Sequence, residues 1–292
     1  MTGKSAIYLS TLILAVLLWQ GVGCSTYEAN AKDKADLDVP YEPTSYAIAE
    51  EMLKMAKVSS KDLVYDLGCG DGRIVIMAAK ERGAKGVGVD MDPDRIRESR
   101  ENAERAGVAG LVRFFEQNLF ETNISSATVV MLYLWPEVNL KVRPKLLKEL
   151  KPGTRIVSHS HTMGEWEDDA TATVEEHALH FFVVPANVTG TWQWVGADKQ
   201  PVSLHLTQKF QKVKGSMTIG QETYPLIDCL LRGNTLLFSV ERVRARTKER
   251  ISFQGRILGD TIEGRISQGT NHSGAGRWRA TRDASTKVSV AE

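Results

Sequence analysis

Little in this chain could hold it together covalently, since only Cys24, Cys69 and Cys229 occur among its 292 residues. Three cysteines exclude a disulfide framework, so the fold must rest on buried apolar surface. Charge of one sign is also missing. Lys and Arg number 37 against 36 Asp and Glu, and a net charge of +1 gives no whole-chain reason to expect a nucleic-acid partner. No apolar run reaches the ~20 residues of a comfortable membrane span. The longest, Ala6–Trp19, is shorter and follows Lys4, as in the core of an export signal. A phosphate-binding G-x-x-x-x-G-K-[ST] loop follows no predicted strand. His159 and His161 have no third partner at metal-ligand spacing and read as ordinary polar histidines, so no metal is expected.

What is present centres on residues 63–90. Leu63–Leu67 runs apolar without alternation, as a buried strand does. Gly68, Gly70 and Gly72 follow, spaced by Cys69 and Asp71, and permit a turn that lets backbone approach a ligand closely. Ile74–Lys80 has helical apolar spacing, so its free N–H groups face that turn. A second strand, Val87–Val89, delivers Asp90 where a nucleotide fold places a carboxylate against ribose hydroxyls. A dinucleotide fingerprint is excluded, because the third glycine comes one residue early. An acid at the strand end, Asp66, disfavours a pyrophosphate and suits a ligand carrying a cationic amine.

The run Asp66-Leu67-Gly68-Cys69-Gly70-Asp71-Gly72 resembles motif I of the class I methyltransferases that use S-adenosylmethionine. The resemblance implies a doubly wound, mostly parallel seven-stranded α/β sheet. It places Asp66, Gly68, Cys69, Gly70, Asp71 and Gly72 at the amino-acid end of the cofactor. Asp90 and Met91 fall at its ribose, and Asn118 and Leu119 at its adenine. Further strands are expected at Leu111–Phe115, Ala127–Leu134, Arg155–Ser158, Thr171–Val174 and His180–Val184, with a helix opening at Asp92-Pro93 and closing at Gly107.

Pro40-Tyr41-Glu42-Pro43, the motif I run and Tyr133-Leu134-Trp135-Pro136 together are similar to small bacterial relatives of the mitochondrial membrane-anchored lysine methyltransferases, over roughly residues 38–185. Many relatives that methylate planar nitrogens carry Asn/Asp-Pro-Pro-Tyr/Phe after the fourth strand. Its absence argues against nucleic-acid bases and glutamine amides as acceptors. The resemblance implies a protein or small-molecule amine such as lysine, with Tyr41, Glu42, Tyr133 and Trp135 walling the methyl group and orienting the acceptor. Tyr41-Glu42 reads equally as a lid over the cofactor or as a simple turn into the first helix.

The outer segments read differently. Residues 1–24 are expected to target or anchor the chain, as a lipoprotein-type signal ending at Cys24, an uncleaved anchor, or a signal cut near Ala29-Asn30-Ala31. Residues 25–39 read as a tether, 40–186 as the methyltransferase domain, and 286–292 as a tail. Residues 187–285 show short strand-length runs between Gly, Asn and Asp turns, expected to form an antiparallel barrel or sandwich. Beyond Ala186 there are 16 basic and nine acidic residues, against 21 and 27 before it. Arg242, Arg244, Arg246, Lys248 and Arg250 alternate, and on one strand would share a face. Either a solvated edge or a docking face for acidic partners or anionic headgroups fits that pattern. Because the cofactor is made in the cytosol, membrane association leaves two readings open. Either the anchor leaves an enzyme inside, or a tethered non-catalytic module keeps the fold for a small ligand.

Overall fold

The computed structural model describes residues 42–244, 247–268 and 276–289. The expected anchor with Cys24, the tether, Tyr41 and Arg246 lie outside the described residues. Ser45 caps the first helix, α1 (Tyr46–Met55), accepting from Ile48 N at 3.2 Å, and Ile48, Ala49, Met52 and Leu53 form its buried face. β1 (Leu63–Leu67), α2 (Arg73–Arg82), β2 (Lys85–Asp90), α3 (Pro93–Arg105) and β3 (Val112–Glu116) then build parallel pairs outward to one sheet edge. The chain returns to the other side of β1 with β4 (Val129–Leu132), α4 (Pro136–Glu149) and β5 (Arg155–His159). β6 (Ala170–Val174) and β7 (His177–Val183) form a hairpin whose two turn residues, Glu175 and Glu176, have φ of 49° and 66°. That is the left-handed geometry a two-residue turn needs to follow strand twist.

The resulting seven-stranded order is β3-β2-β1-β4-β5-β7-β6, parallel apart from β7. Its direction reverses between β1 and β4, which opens a crevice at the carboxyl ends of those strands. Apolar layers cover both faces: Met52, Val75, Ala78 and Ile96 on one, Leu67, Leu132, Val142 and Leu146 on the other. The fourth strand is shorter than the expected Ala127–Leu134. Tyr133, Leu134 and Trp135 leave it early, because Trp135 already takes the N-cap position of α4 with Pro136 in its first turn.

The remaining strands form one antiparallel sheet: β8 (Gly190–Val195), β9 (Pro201–Lys209), β10 (Lys212–Ile219), β11 (Glu222–Pro225), β12 (Ile227–Arg232), β13 (Thr235–Arg244), β14 (Thr247–Leu258), β15 (Thr261–Gln268) and β16 (Gly276–Arg282). Their order is β11-β10-β9-β8-β16-β15-β14-β13-β12, yet the two outermost strands are joined by Leu226 alone. Large rings fill its inner face. Phe238 stacks on Phe253 with centroids 4.7 Å apart, Trp278 meets both edge-on, and buried Arg282 lies 4.3 Å over Trp192. The alternating basic residues do not lie on one strand. Arg242 and Arg244 fall on β13, Lys248 and Arg250 on β14, across a hairpin. Arg242 faces Glu249 at 2.7 Å, while Arg250 belongs to the opposite face and pairs with Asp228. The letters between these two strands include no glycine or asparagine, so the sequence does not announce the change of strand.

The two sheets belong to one packed unit. The β9–β10 turn pushes Phe210 into the core of the α/β half, where it stacks on Trp166 at 6.1 Å and lies under the Arg143 guanidinium at 5.3 Å. Lys209 and Lys212 flank it with ion pairs to Glu165 and Glu167, and Gln211 donates to Glu167 O at 2.6 Å. At a second point, Ala186 N donates to Gly233 O at 2.8 Å. Among the described residues no helix is long and apolar enough to cross a membrane. Phe210 is the one large apolar group that crosses between the sheets at this turn. Phe210→Ala is expected to cost about 3 kcal/mol of stability through the cavity it leaves, read as a lower denaturant midpoint. An unchanged midpoint would mean the turn merely rests on the surface.

Candidate active site

The crevice predicted by strand order is a cleft of about 360 Å³ over the ends of β1, β2 and β4. Its floor is the turn after β1. Gly68, at φ 86°, and Cys69 both donate to Val89 O at 2.9 Å, which straps the turn to β2. A Cβ on Gly68 would come within 3.0 Å of the Leu134 side chain, so a larger residue would push into the wall of the cleft. Gly70 N donates to Asp90 Oδ2 at 2.9 Å, and Asp92 N to Asp90 Oδ1 at 3.0 Å. Asp90 therefore holds the glycine turn and the end of its own strand at once. Arg73 clamps Asp71 through Nε and Nη2, and its Nη1 donates to Thr44 O at 2.8 Å, tying the start of the first helix to the turn.

The electrostatics point to a cation. Asp66 is fully buried; burial first, then the carboxylates of Asp90 and Asp71, push its pKa up to about 8. Arg73 offsets Asp71, but no basic side chain draws the Asp66 carboxyl back down. Burying like charges together is costly unless a positive group arrives. The concave glycine turn beside an acid-lined floor thus fits a ligand with a cationic amine and hydroxyls.

The expected cofactor residues divide into two groups. Asp66, Gly68, Cys69, Gly70, Asp71, Asp90, Met91 and Leu119 line the cleft. Gly72 and Asn118 do not. Gly72 caps α2, and a Cβ there would strike the Phe114 ring at 2.6 Å, so its role is packing. The Asn118 carboxamide oxygen accepts from Phe120 N at 2.9 Å and shapes its own loop, while Gln117 lines the cleft in its place.

Glu42, Tyr133 and Trp135 come together at the mouth; Tyr41 lies outside the described residues. The Tyr133 hydroxyl donates to Glu42, and burial together with that carboxylate raises its pKa to about 12, so it remains a proton donor. Trp135 is 51% exposed, an apolar surface at the entrance. Ser160, held at φ 62°, and His161 also line the mouth, with no role expected of either from the sequence. His159 sits behind them, stacked on Tyr133 at 3.8 Å and bonded through Nδ1 to Thr44 Oγ1 at 3.1 Å. Burial, with His177 and His161 nearby, lowers its pKa to about 4, so it is a neutral support for the tyrosine. Among the described residues no group of three or more His, Cys, Asp or Glu is placed to hold a metal ion.

Two stability effects of opposite sign follow. A raised Asp66 pKa means the folded state holds a proton that the unfolded state releases above about pH 4, so stability falls as pH rises toward 8. Asp66→Asn should therefore raise the melting temperature of the ligand-free protein at pH 7; a lowered one would contradict the buried charge. A depressed His159 pKa means stability is lost as pH falls from about 6.5 toward 4. His159→Phe should flatten urea stability over that window, and an unaltered slope would exclude His159 as its source.

Comparison with known proteins agrees with this geometry. Residues 66–170 match the model of the ANTKMT methyltransferase domain. The chain is 47% identical over 151 residues to a protein-lysine N-methyltransferase of Saccharolobus islandicus, covering 50% of this chain and 94% of that relative. It is 30% identical over 131 residues to the adenine nucleotide translocase lysine N-methyltransferase of Mus musculus, covering 45% of this chain and 57% of that relative, little more than half its length. Among solved structures, an RNA methyltransferase from Salinibacter ruber in complex with S-adenosyl-L-homocysteine is 48% identical, with a TM-score of 0.50, over 50% of this chain and 96% of that one. With its glycine turn, buried acids and strand order, the chain belongs to the ANTKMT-like class I methyltransferases, enzymes whose cofactor is S-adenosyl-L-methionine.

Proposed function

We propose that this protein transfers a methyl group to the amine of a lysine in another protein. The observation that carries the reading is the mouth of the cleft, where an acid, a tyrosine, an exposed tryptophan and a neutral histidine converge beside the cofactor floor. The names of the Saccharolobus and mouse relatives support the same acceptor.

Asp66 and Gly68–Asp71 would hold the amino-acid end of S-adenosyl-L-methionine, Asp90 and Met91 its ribose, and Leu119 with Gln117 its adenine. When bound, the cofactor supplies a methyl group on a sulfonium, already activated for displacement. The protein's own work is alignment and exclusion of water. Glu42 attracts an incoming ammonium, and Trp135 and the Tyr133 ring flank its aliphatic stem. The low polarity of this wall favours the neutral amine that attack requires. His161, whose pKa burial lowers against the pull of Glu137 and Glu42, offers a neutral imidazole that can take the departing proton.

The outer parts complete the reading. The single-residue link between β11 and β12, with Leu226 N donating to Gly215 O at 3.0 Å, supports closure of the C-terminal sheet into a barrel. The run Ala6–Trp19 supports attachment to a membrane, with or without a lipid on Cys24. No nucleic acid enters this reading as acceptor.

The test supplies tritiated S-adenosyl-L-methionine to cell lysate fractions with the full chain. Label is expected in protein and, after acid hydrolysis, in methyl-lysine; label in RNA alone would overturn the proposal. Tyr133→Phe should slow turnover by roughly 10- to 100-fold by misplacing Glu42 and the acceptor, with cofactor affinity within twofold of the parent.

A further inference from the structure

The outer face of β14, β15 and β16 carries a grid of guanidinium groups. The strand register sets Arg265 directly opposite Arg277, and in the next row Arg256, Glu263 and Arg279 lie side by side. All five side chains are exposed. Neighbouring strands are about 4.8 Å apart and alternate residues about 7 Å, so the four arginines share a patch of about 10 Å by 7 Å. Glu263 is the one acid in the grid and is taken by Arg279 at 3.4 Å. Arg256, Arg265 and Arg277 have no acidic partner among the described residues.

Sheet stability does not account for this arrangement, because like charges directly opposite one another destabilise a sheet. Nor does solubility, which needs mixed signs rather than an arginine pair across strands. Arginine presents a flat fork of donors that takes phosphate oxygens two at a time. The same face has no aromatic side chain on these strands: Phe253 and Trp278 point inward. Single-stranded nucleic acid is gripped by stacking bases on exposed rings, and here none is offered. Where this face continues along β13 and β14, Val243 stands 70% exposed opposite Lys248, and in the next row Glu241 lies opposite Arg250.

We propose that this arginine face docks the protein onto an anionic lipid surface through headgroup phosphates. The sequence also carries an amino-terminal apolar run, Ala6–Trp19, followed by the polar residues 25–39. Two weak attachments then act together, since a short apolar segment alone anchors poorly and a basic patch adds the second contact. The proposal stands apart from the methyl-transfer site, and its test separates the two.

The full chain is sedimented with vesicles of phosphatidylcholine alone, and with phosphatidylglycerol added, at low and raised salt. Binding to the acidic vesicles is expected to exceed that to neutral ones and to fall with salt. In the triple variant Arg256→Gln/Arg265→Gln/Arg277→Gln the excess should drop by about fivefold per arginine. Glu263→Gln removes the competing acid and should strengthen it. S-adenosyl-L-methionine affinity, measured on the same preparations, should not change, which shows an intact fold and keeps this test separate from that of the active site. Equal binding of parent and triple variant to acidic vesicles would overturn the proposal. So would tighter binding of the parent to double-stranded RNA that the triple variant loses.

Discussion

An acid buried without a cation, and so left protonated, is the constraint around which the α/β half is arranged. Asp66 sits at the end of β1 in an apolar surround, and Asp90 and Asp71 add their fields to it. Each neighbouring feature answers that expense. Arg73 offsets Asp71 and reaches to Thr44; Asp90 spreads its charge over the amides of Gly70 and Asp92. What remains is an acid-lined floor that a ligand with positive groups, as S-adenosyl-L-methionine has, would stabilise. A site of this kind gives up stability for binding, a trade common at functional positions.

The loop after β5, which carries Ser160 and His161 to the cleft, is held by quite different means. Asn139 donates to the carbonyls of His161 and Thr162 at 3.2 and 3.3 Å, and Ser158 Oγ to His161 O at 2.7 Å. The loop continues to Met163, whose carbonyl takes Arg143 at 2.7 Å, and to Trp166, against which Phe210 of the second sheet is stacked. This wall of the cleft is thus braced from behind by a turn far away in sequence. The Saccharolobus relative and the Salinibacter structure are matched almost throughout by half of this chain.

What could be read beforehand follows from how local each feature is. Asp66 to Gly72 is one continuous run with Asp90 on the next strand, so both the α/β sheet and the floor of the cleft were legible. Gly72 and Asn118 were legible in kind but not in role: the ring of Phe114 and the amide of Phe120, which decide them, are set by folding. Ser160 and His161 reach the cleft only because β5 ends beside β4, and their letters alone look like any polar loop. Phe210 could not be found, since one aromatic in a hairpin turn has no periodicity to mark it. The alternating basic residues invite a single-strand reading for the converse reason, a regular pattern with no glycine or asparagine where the strand changes.

The central claim concerns the protonation of Asp66, and calorimetric titration with S-adenosyl-L-methionine at pH 7 in buffers of different ionisation enthalpy measures it directly. Since the empty site holds a proton up to about pH 8 and the bound cation requires the carboxylate, saturable binding should release close to one proton. That release should disappear in any Asp66→Asn protein that retains measurable affinity. Saturable binding with no proton exchanged would contradict the buried-acid account, and no saturable heat at all would remove the cofactor site itself.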